Sequence, residues 1–122
     1  KLADTHGKWG MAPTWGMSQR LPRRIGVVKA KEMMFSGRTI SGQEAVELGI
    51  ANQCVADDDL LSAAIEMAES FTRNSWHTLR ADKALINVGQ NHFLNDGLIE
   101  ERENGPGVAP DMNDRLKAGF KR

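Results

Sequence analysis

The second half of the chain carries a stripe of apolar residues that limits what it can fold into. These residues recur at spacings of three and four, at Leu60, Leu61, Ala64, Ile65, Ala68 and Phe71. This is the period of an α-helix that packs one face against a neighbour, and we expect that helix to end near Asn74. Similar patterns predict further helices over about 76–89, 94–103 and 111–120. The second half is therefore predicted to be helical.

Glycine and proline divide the first half into short elements. Residues 1–16 are expected to be irregular, and a helix is predicted to begin near Met17 and to end or kink at Pro22. A short amphipathic helix is predicted over 28–35, stopped by the Ser-Gly pair that follows it.

The run from Ser41 to Glu44, SGQE, has the form of a capping box. In such a box the serine hydroxyl and the glutamate carboxylate each accept a hydrogen bond from a free backbone N–H at a helix start. A helix is expected to follow and to stop at Gly49. Residues 50–55, IANQCV, are the best candidate for a strand. Cys54 lies within it, where a thiol is expected to behave as a small hydrophobe rather than as a nucleophile.

Composition excludes several classes of function. With 16 basic and 16 acidic residues among 122, no overall field draws in nucleic acid or an anionic membrane surface. The single cysteine rules out an internal disulfide and indicates a reducing, cytoplasmic location. No apolar run is long enough to span a bilayer, so no membrane partner is expected. The start, KLADTH, has neither an initiator methionine nor a signal core, and we expect the chain to be incomplete at its N-terminus.

A local cluster of basic residues leaves one alternative open. It comprises Arg20, Arg23, Arg24, Lys29 and Lys31. Guanidinium groups suit phosphate oxygens, so the cluster could hold phosphates or RNA, and an ordinary solvated face explains it equally well. The zero net charge argues against RNA, and we expect no nucleic-acid partner.

The familiar short catalytic motifs are absent from the sequence: there is no P-loop, dinucleotide glycine fingerprint, nucleophile elbow or HExxH. The three histidines lie apart without ligand spacing, so no metal site is predicted. His6 precedes a Gly/Trp/Pro loop that could form a pocket wall, and imidazole can act as acid or base near neutral pH. From the residues alone, a structural role for His6 is favoured. Asp4 could orient it, although in an extended segment side chains two residues apart point the same way without necessarily touching.

The spaced pattern from Gly10 to Gly26, G-x-x-P-x-x-G-x-S-Q-R-L-x-R-x-I-G, resembles the crotonase or enoyl-CoA hydratase/isomerase family. Similar features follow in order, at the 29–33 helix, the 36–55 segment, LLSAAIEMAESFTRNS and the closing DRLKAGFKR. The resemblance implies the α/β, spiral ββα fold of crotonases, with this chain as its mostly helical C-terminal part. Residues 1–55 would be the C-terminal part of the core, with the acyl-site loop, and 56–122 the helical trimerisation region.

The resemblance also implies an acyl-CoA hydratase/isomerase activity, part of fatty acid metabolism. In this family two backbone amides form an oxyanion hole that stabilises an enolate of the thioester, and both would belong to segments before Lys1. The chain alone is therefore expected to be inactive and to need the N-terminal half of the same protein or a complementary chain. The substrate would be a coenzyme A thioester, with no cofactor, and the assembly a homotrimer or hexamer.

Site residues follow from the same resemblance. His6 stands where the hydratases have the glutamate of a Pro-Glu pair, and it is predicted to be the catalytic acid/base. Thr14 falls where they have a glycine beside the catalytic water. The residues expected to line the acyl pocket are Trp9, Met11, Pro13, Thr14 and Trp15. Because His6 departs from the family's glutamate, isomerisation, CoA-thioester hydrolysis and a non-catalytic acyl-CoA-binding subunit remain alternatives.

The end of the chain resembles the family's CoA-binding tail. Arg115, Lys117 and Phe120 match the residues that approach the adenine and phosphate end of CoA, and they are predicted to bind it. A terminal helix that simply docks on the protein explains the same residues equally well.

Overall fold

The computed structural model describes residues 1–119, and the chain divides into two units, Lys1–Asp58 and Asp59–Arg122. A short 3₁₀ helix, Asp57–Asp59, lies at the division. The assignment of the two parts to a crotonase core and a trimerisation region stays a prediction.

In the first unit, β1 (Leu2–Ala3) pairs antiparallel with β2 (Thr39–Ile40), with Leu2 opposite Ile40. Another 3₁₀ helix, His6–Trp9, follows strand β1 in the chain. The helices of this unit are α1 (Met17–Ile25), α2 (Val27–Ser36) and α3 (Gly42–Glu47). Helix α2 packs against both α1 and the 3₁₀ helix His6–Trp9. The strand pair and α2 thus fix the position of the residues that follow β1.

The core of the first unit lies where α2, β2 and α3 meet. Met33, Ile40 and Ala45 are its buried apolar side chains, and Leu21 and Ile25 of α1 pack against them while partly exposed. This core therefore combines side chains from three helices and from strand β2.

The sequence predicted that this helix ends or kinks at Pro22, and the structure shows that it does not end there: α1 continues to Ile25. The Gly26 N–H still donates to the Pro22 carbonyl, at 2.9 Å. Proline removes one helical hydrogen bond, but the packing of Leu21 and Ile25 on the core holds the turn that contains it. The prediction of a helix over 28–35 is confirmed, with Gly37 in the left-handed conformation at its end (φ 58°).

The strand predicted over 50–55 does not form, and that prediction was wrong. The N–H groups of Ile50 and Ala51 both donate to the Ala45 carbonyl, at 2.8 and 3.1 Å, so the chain folds back onto α3. Cys54 is consequently exposed rather than buried in a strand. Its sulfur lies close to Gly42, where an added Cβ would come within 2.6 Å of it.

The serine half of the capping box is confirmed. The Ser41 hydroxyl accepts a hydrogen bond from the Glu44 N–H at 3.0 Å, at the start of α3. The Glu44 carboxylate forms an ion pair with Arg38, at 2.7 Å. Glu44 therefore pairs with Arg38 instead of completing the predicted box, and this ion pair links α3 to the residue before β2.

The second unit consists of helices over its described residues. They are α4 (Leu60–Thr72), α5 (Trp76–Gly89), α6 (Leu94–Asn104) and α7 (Met112–Ala118). These bounds confirm the helices predicted from apolar periodicity. Between residues 59 and 119 no apolar side chain is buried, and Ser75 is the buried polar residue. Within residues 1–119, no helix combines the length and hydropathy needed to cross a membrane.

Candidate active site

Asp4 and His6 form the candidate site, directly after β1. Thr5 between them has φ −104° and ψ 4°, so the segment bends and is not extended. Asp4 is 3% exposed, and its Oδ1 accepts a hydrogen bond from the His6 backbone N–H at 3.0 Å. The same oxygen lies 2.6 Å from the ring nitrogen Nδ1 of His6. The sequence left open whether these side chains touch, and the bend brings them into contact.

The electrostatics of this pair favour an ionised carboxylate. Burial by itself raises the pKa of Asp4, but the hydrogen bonds from the His6 backbone and ring, together with the charge of the ring, hold the pKa below its ordinary value. The second carboxylate oxygen, Oδ2, is buried and has no hydrogen-bond partner among the described residues. Both hydrogen bonds that the Asp4 carboxylate accepts from residues 1–119, from the His6 backbone and from its ring, therefore end on Oδ1.

Trp15 lies against the ring of His6. The two ring centroids are 6.0 Å apart and their planes meet at 65°, an edge-on arrangement. The side chain of His6 is 19% exposed. Its second ring nitrogen, Nε2, makes no hydrogen bond to any residue between 1 and 119. The imidazole is thus held by Asp4 on one side and by Trp15 on its flank, with Nε2 open.

The predicted acyl-site residues are on the surface of the first unit, including Trp15, which is 81% exposed. Trp9 is 74% exposed and Met11 55%, Thr14 is exposed, and Pro13 is half-buried. Gly10 and Gly16 bracket the loop in left-handed conformations, with φ 66° and 90°. Of the predicted wall residues, the structure brings Trp15 to His6. Residues with a Cβ rarely adopt those dihedral angles, which explains why glycine occupies both positions.

The sequence alone did not identify Asp4 as a site residue. The available signal is its spacing of two from His6, but that spacing alone does not distinguish a contact from two parallel side chains. The bend at Thr5 decides the matter, and its signal in the sequence is Asp4 itself, because an aspartate side chain favours a turn by accepting from the N–H two residues on, as Oδ1 does from His6.

Two of the five residues of the basic cluster, Arg23 and Lys29, form hydrogen bonds within their own helices. The Arg23 guanidinium donates to the Gln19 carbonyl at 2.9 Å, and the Lys29 ammonium donates to Glu32 at 2.9 Å. A groove of about 520 Å³ lies beside them between α1 and α2, and its lining includes Val27 and Phe35. The residues predicted for the acyl pocket do not line it.

Arg115 serves to anchor α7 within the second unit. Its Nε donates to Asp111 Oδ2 at 2.6 Å and its Nη1 donates to the Arg73 carbonyl at 3.1 Å. Ser75 donates to the other oxygen of Asp111 at 3.2 Å, and the hydrogen bond from Arg115 is the main cause that lowers the pKa of Asp111. Lys117 is exposed on α7, and Phe120 lies outside the described residues. The docking role of Arg115 is therefore observed, and CoA binding by these residues stays a prediction.

No cluster of three or more His, Cys, Asp or Glu side chains within residues 1–119 is placed to hold a metal ion. The candidate site contains one carboxylate and one imidazole in contact. Such a pair can orient a base and move a proton.

Comparison with solved structures defines the class of fold. The chain is similar to the crystal structure of enoyl-CoA hydratase from Bacillus anthracis, with a TM-score of 0.84 and 37% identity, covering 93% of this chain and 45% of that one. The fold is that of the crotonases, represented here by a mostly helical C-terminal portion.

The sequence places the chain in one family. Residues 1–104 match the profile of the enoyl-CoA hydratase/isomerase family, and the chain belongs to that family. It is 35% identical over 103 residues to probable enoyl-CoA hydratase 1, peroxisomal, of Arabidopsis thaliana, covering 84% of this chain and 39% of that protein. It is 34% identical over 89 residues to short-chain-enoyl-CoA hydratase of Clostridioides difficile, covering 73% and 57%. The chain thus spans 39% to 57% of the length of these relatives.

Proposed function

We propose that the protein is an acyl-CoA hydratase/isomerase of the enoyl-CoA hydratase type, and that Nε2 of His6 is the atom that moves the proton. The family and the names of the relatives support the substrate class. The observation that carries the role of His6 is its 2.6 Å contact with the buried Asp4. An imidazole that is oriented through one nitrogen and open at the other suits general acid–base catalysis.

In the proposed hydration, water adds across the double bond that is conjugated to the thioester. Neutral Nε2 removes a proton from the water as the water oxygen bonds to the β-carbon, and the electrons of the double bond move onto the thioester oxygen as an enolate. The imidazolium then gives its proton to the α-carbon, which restores the thioester and the neutral ring. A single nitrogen acts as base and then as acid. The oxyanion hole for the enolate is proposed to come from backbone amides elsewhere in the full-length protein.

The acyl group is proposed to lie along the loop that carries Trp15. The contact between Trp15 and His6 supports a wall next to the reacting carbons. The exposure of Trp9 and Met11 leaves apolar surface on the same segment for the acyl chain. Arg115 and Lys117 are proposed to meet the phosphates of CoA, since guanidinium and ammonium groups suit phosphate oxygens.

The full-length protein is proposed to assemble as a homotrimer or hexamer. The support is the set of large apolar side chains on α4 to α6 that stay exposed, among them Leu61, Phe71, Trp76, Ile86 and Leu94. Soluble monomers rarely leave so many such side chains on neighbouring helices, and a surface of this kind marks an interaction site.

The role of His6 is tested by assaying the full-length protein with crotonyl-CoA. We expect hydration by the wild type, and for His6→Gln a fall in kcat of about 100-fold or more, the typical contribution of a general acid or base. His92→Gln is the matched control, because His92 is exposed on the turn before α6, and it is expected to keep the wild-type rate. Hydration by His6→Gln at the wild-type rate would remove His6 from the mechanism. Thioester cleavage in place of hydration would assign the protein to the hydrolase alternative.

A further inference from the structure

We propose that Asp4 is a positioning residue that holds His6 in the tautomer with its hydrogen on Nδ1, which makes Nε2 the ring nitrogen available to the substrate. The contact of Asp4 Oδ1 with both the backbone and the ring of His6 carries this inference. It rests on the proposed role of His6 and adds to it the residue that sets the protonation pattern of the ring.

The donors and acceptors of the Asp4–His6 pair allow one position for the hydrogen between them. An ionised carboxylate only accepts hydrogen bonds, so Nδ1 must carry the hydrogen in the 2.6 Å contact. The lowered pKa of Asp4 supports the ionised form near neutral pH. In the neutral ring Nε2 then has the free lone pair that a base requires.

The surroundings of Asp4 keep the carboxylate in this position. Asp4 directly follows β1, which is paired with β2, and its backbone carbonyl lies beside Gly37. A Cβ added at Gly37 would come within 3.3 Å of that carbonyl and within 2.9 Å of the Lys8 side chain. Oδ2 is buried and accepts no hydrogen bond from residues 1–119, so among these residues the carboxylate is held through Oδ1 by the backbone and ring of His6.

His77 supplies an internal reference of the opposite kind. Its Nε2 lies 3.2 Å from the Gly107 carbonyl, which only accepts, so Nε2 of His77 carries the hydrogen. His6 and His77 are therefore expected to be opposite tautomers in the same neutral sample. A spectrum that reports ring protonation should separate them.

The substitution Asp4→Ala removes the acceptor and should move the hydrogen of His6 from Nδ1 to Nε2, the tautomer that a free imidazole prefers. The substitution Asp4→Asn behaves differently. Its amide oxygen must stay in place to accept the His6 backbone N–H, and the same oxygen can still accept from Nδ1. We therefore expect Asp4→Asn to keep the wild-type tautomer. This differs from a catalytic triad, in which the corresponding change to asparagine produces the wrong tautomer.

The test is ¹⁵N solid-state NMR of histidine-labelled full-length protein, about two pH units above the ordinary imidazole pKa of about 6.5. The spectrum of His6→Gln identifies the His6 signals. The expected result is hydrogen on Nδ1 in the wild type and Asp4→Asn, hydrogen on Nε2 in Asp4→Ala, and unchanged His77 signals. A wild-type ring with its hydrogen on Nε2, or no change in a folded Asp4→Ala, would overturn the inference, and the wild-type spectrum decides it even if Asp4→Ala does not fold.

Kinetics separate this inference from the proposed function. Asp4→Ala is expected to lower kcat by about 10-fold to 100-fold, part of the typical acid–base contribution, with KM changed less than about threefold. A fall in affinity with unchanged kcat would overturn a positioning role. If the wild-type protein shows the predicted tautomer but His6→Gln turns over at the wild-type rate, the proposed function of His6 is overturned and the positioning by Asp4 is not.

Discussion

Thr5 is the residue on which the geometry of the candidate site depends. Its φ of −104° and ψ of 4° turn the chain after β1, so that Asp4 and His6 meet through one carboxylate oxygen. In an extended strand the same two residues would sit on one face about 6.6 Å apart along the chain. Their spacing and the turn preference of Asp4 could be read from the sequence, but the side-chain contact could not, because neither fixes the ring of His6 against the carboxylate.

The lowered pKa of Asp4 predicts how stability depends on pH. Because the folded pKa lies below the unfolded value of about 3.9, ionised Asp4 stabilises the fold above that value. This contribution is lost as the pH falls from about 4 through the folded pKa. Asp4→Asn does not titrate, so the free-energy advantage of the wild type over this variant should shrink below about pH 4.

Urea unfolding of both proteins at matched concentration, from neutral pH down to about pH 3, measures this difference. Comparison with the asparagine variant cancels the other acidic groups, such as Glu32 and Asp111, whose pKa values are also lowered. A wild-type advantage that stays constant across this range would contradict the linkage.

At the scale of elements, long apolar periodicity predicted the helices of the second unit, whereas two short segments of the first unit folded differently from their prediction. Helix α5, Trp76–Gly89, has the bounds that its pattern predicts. A helix end at Pro22, one of the two outcomes predicted there, and the strand over 50–55 are both absent, because local preference lost to packing. In one case Leu21 and Ile25 hold the helix, and in the other Ile50 and Ala51 bond back to α3.

The capping bond of Ser41 gives a prediction for α3. Ser41→Ala removes the acceptor for the Glu44 N–H and should cost about 1 kcal/mol, which corresponds to an opening equilibrium constant of the first turn about fivefold larger, and so to exchange about fivefold faster. Hydrogen exchange of the α3 amides in the full-length protein measures this. Ser18→Ala, an exposed position in α1, is the control and should leave α3 unchanged. Equal exchange of the Glu44 amide in Ser41→Ala and the wild type would count against the cap.

At the scale of the molecule, the two units use their apolar side chains differently. The first unit buries Met33, Ile40 and Ala45, whereas residues 59–119 bury no apolar side chain. The periodicity of α4 predicted that one of its faces packs against something, but it could not say what covers that face, because a helix pattern is the same for an internal neighbour and a partner subunit. The family and fold were predictable because the 10–26 pattern is specific in both spacing and residue type.

The most direct test of the account is the turnover of crotonyl-CoA by four forms of the full-length protein: wild type, Asp4→Ala, His6→Gln and the double variant. If Asp4 acts through His6, the change to alanine lowers kcat in the wild-type background and has no further effect once His6 is glutamine. The coupling free energy between positions 4 and 6 then equals the whole effect of Asp4→Ala on kcat in the wild-type background. Equal losses from Asp4→Ala in both backgrounds would contradict the account, because they would show that Asp4 acts independently of the ring.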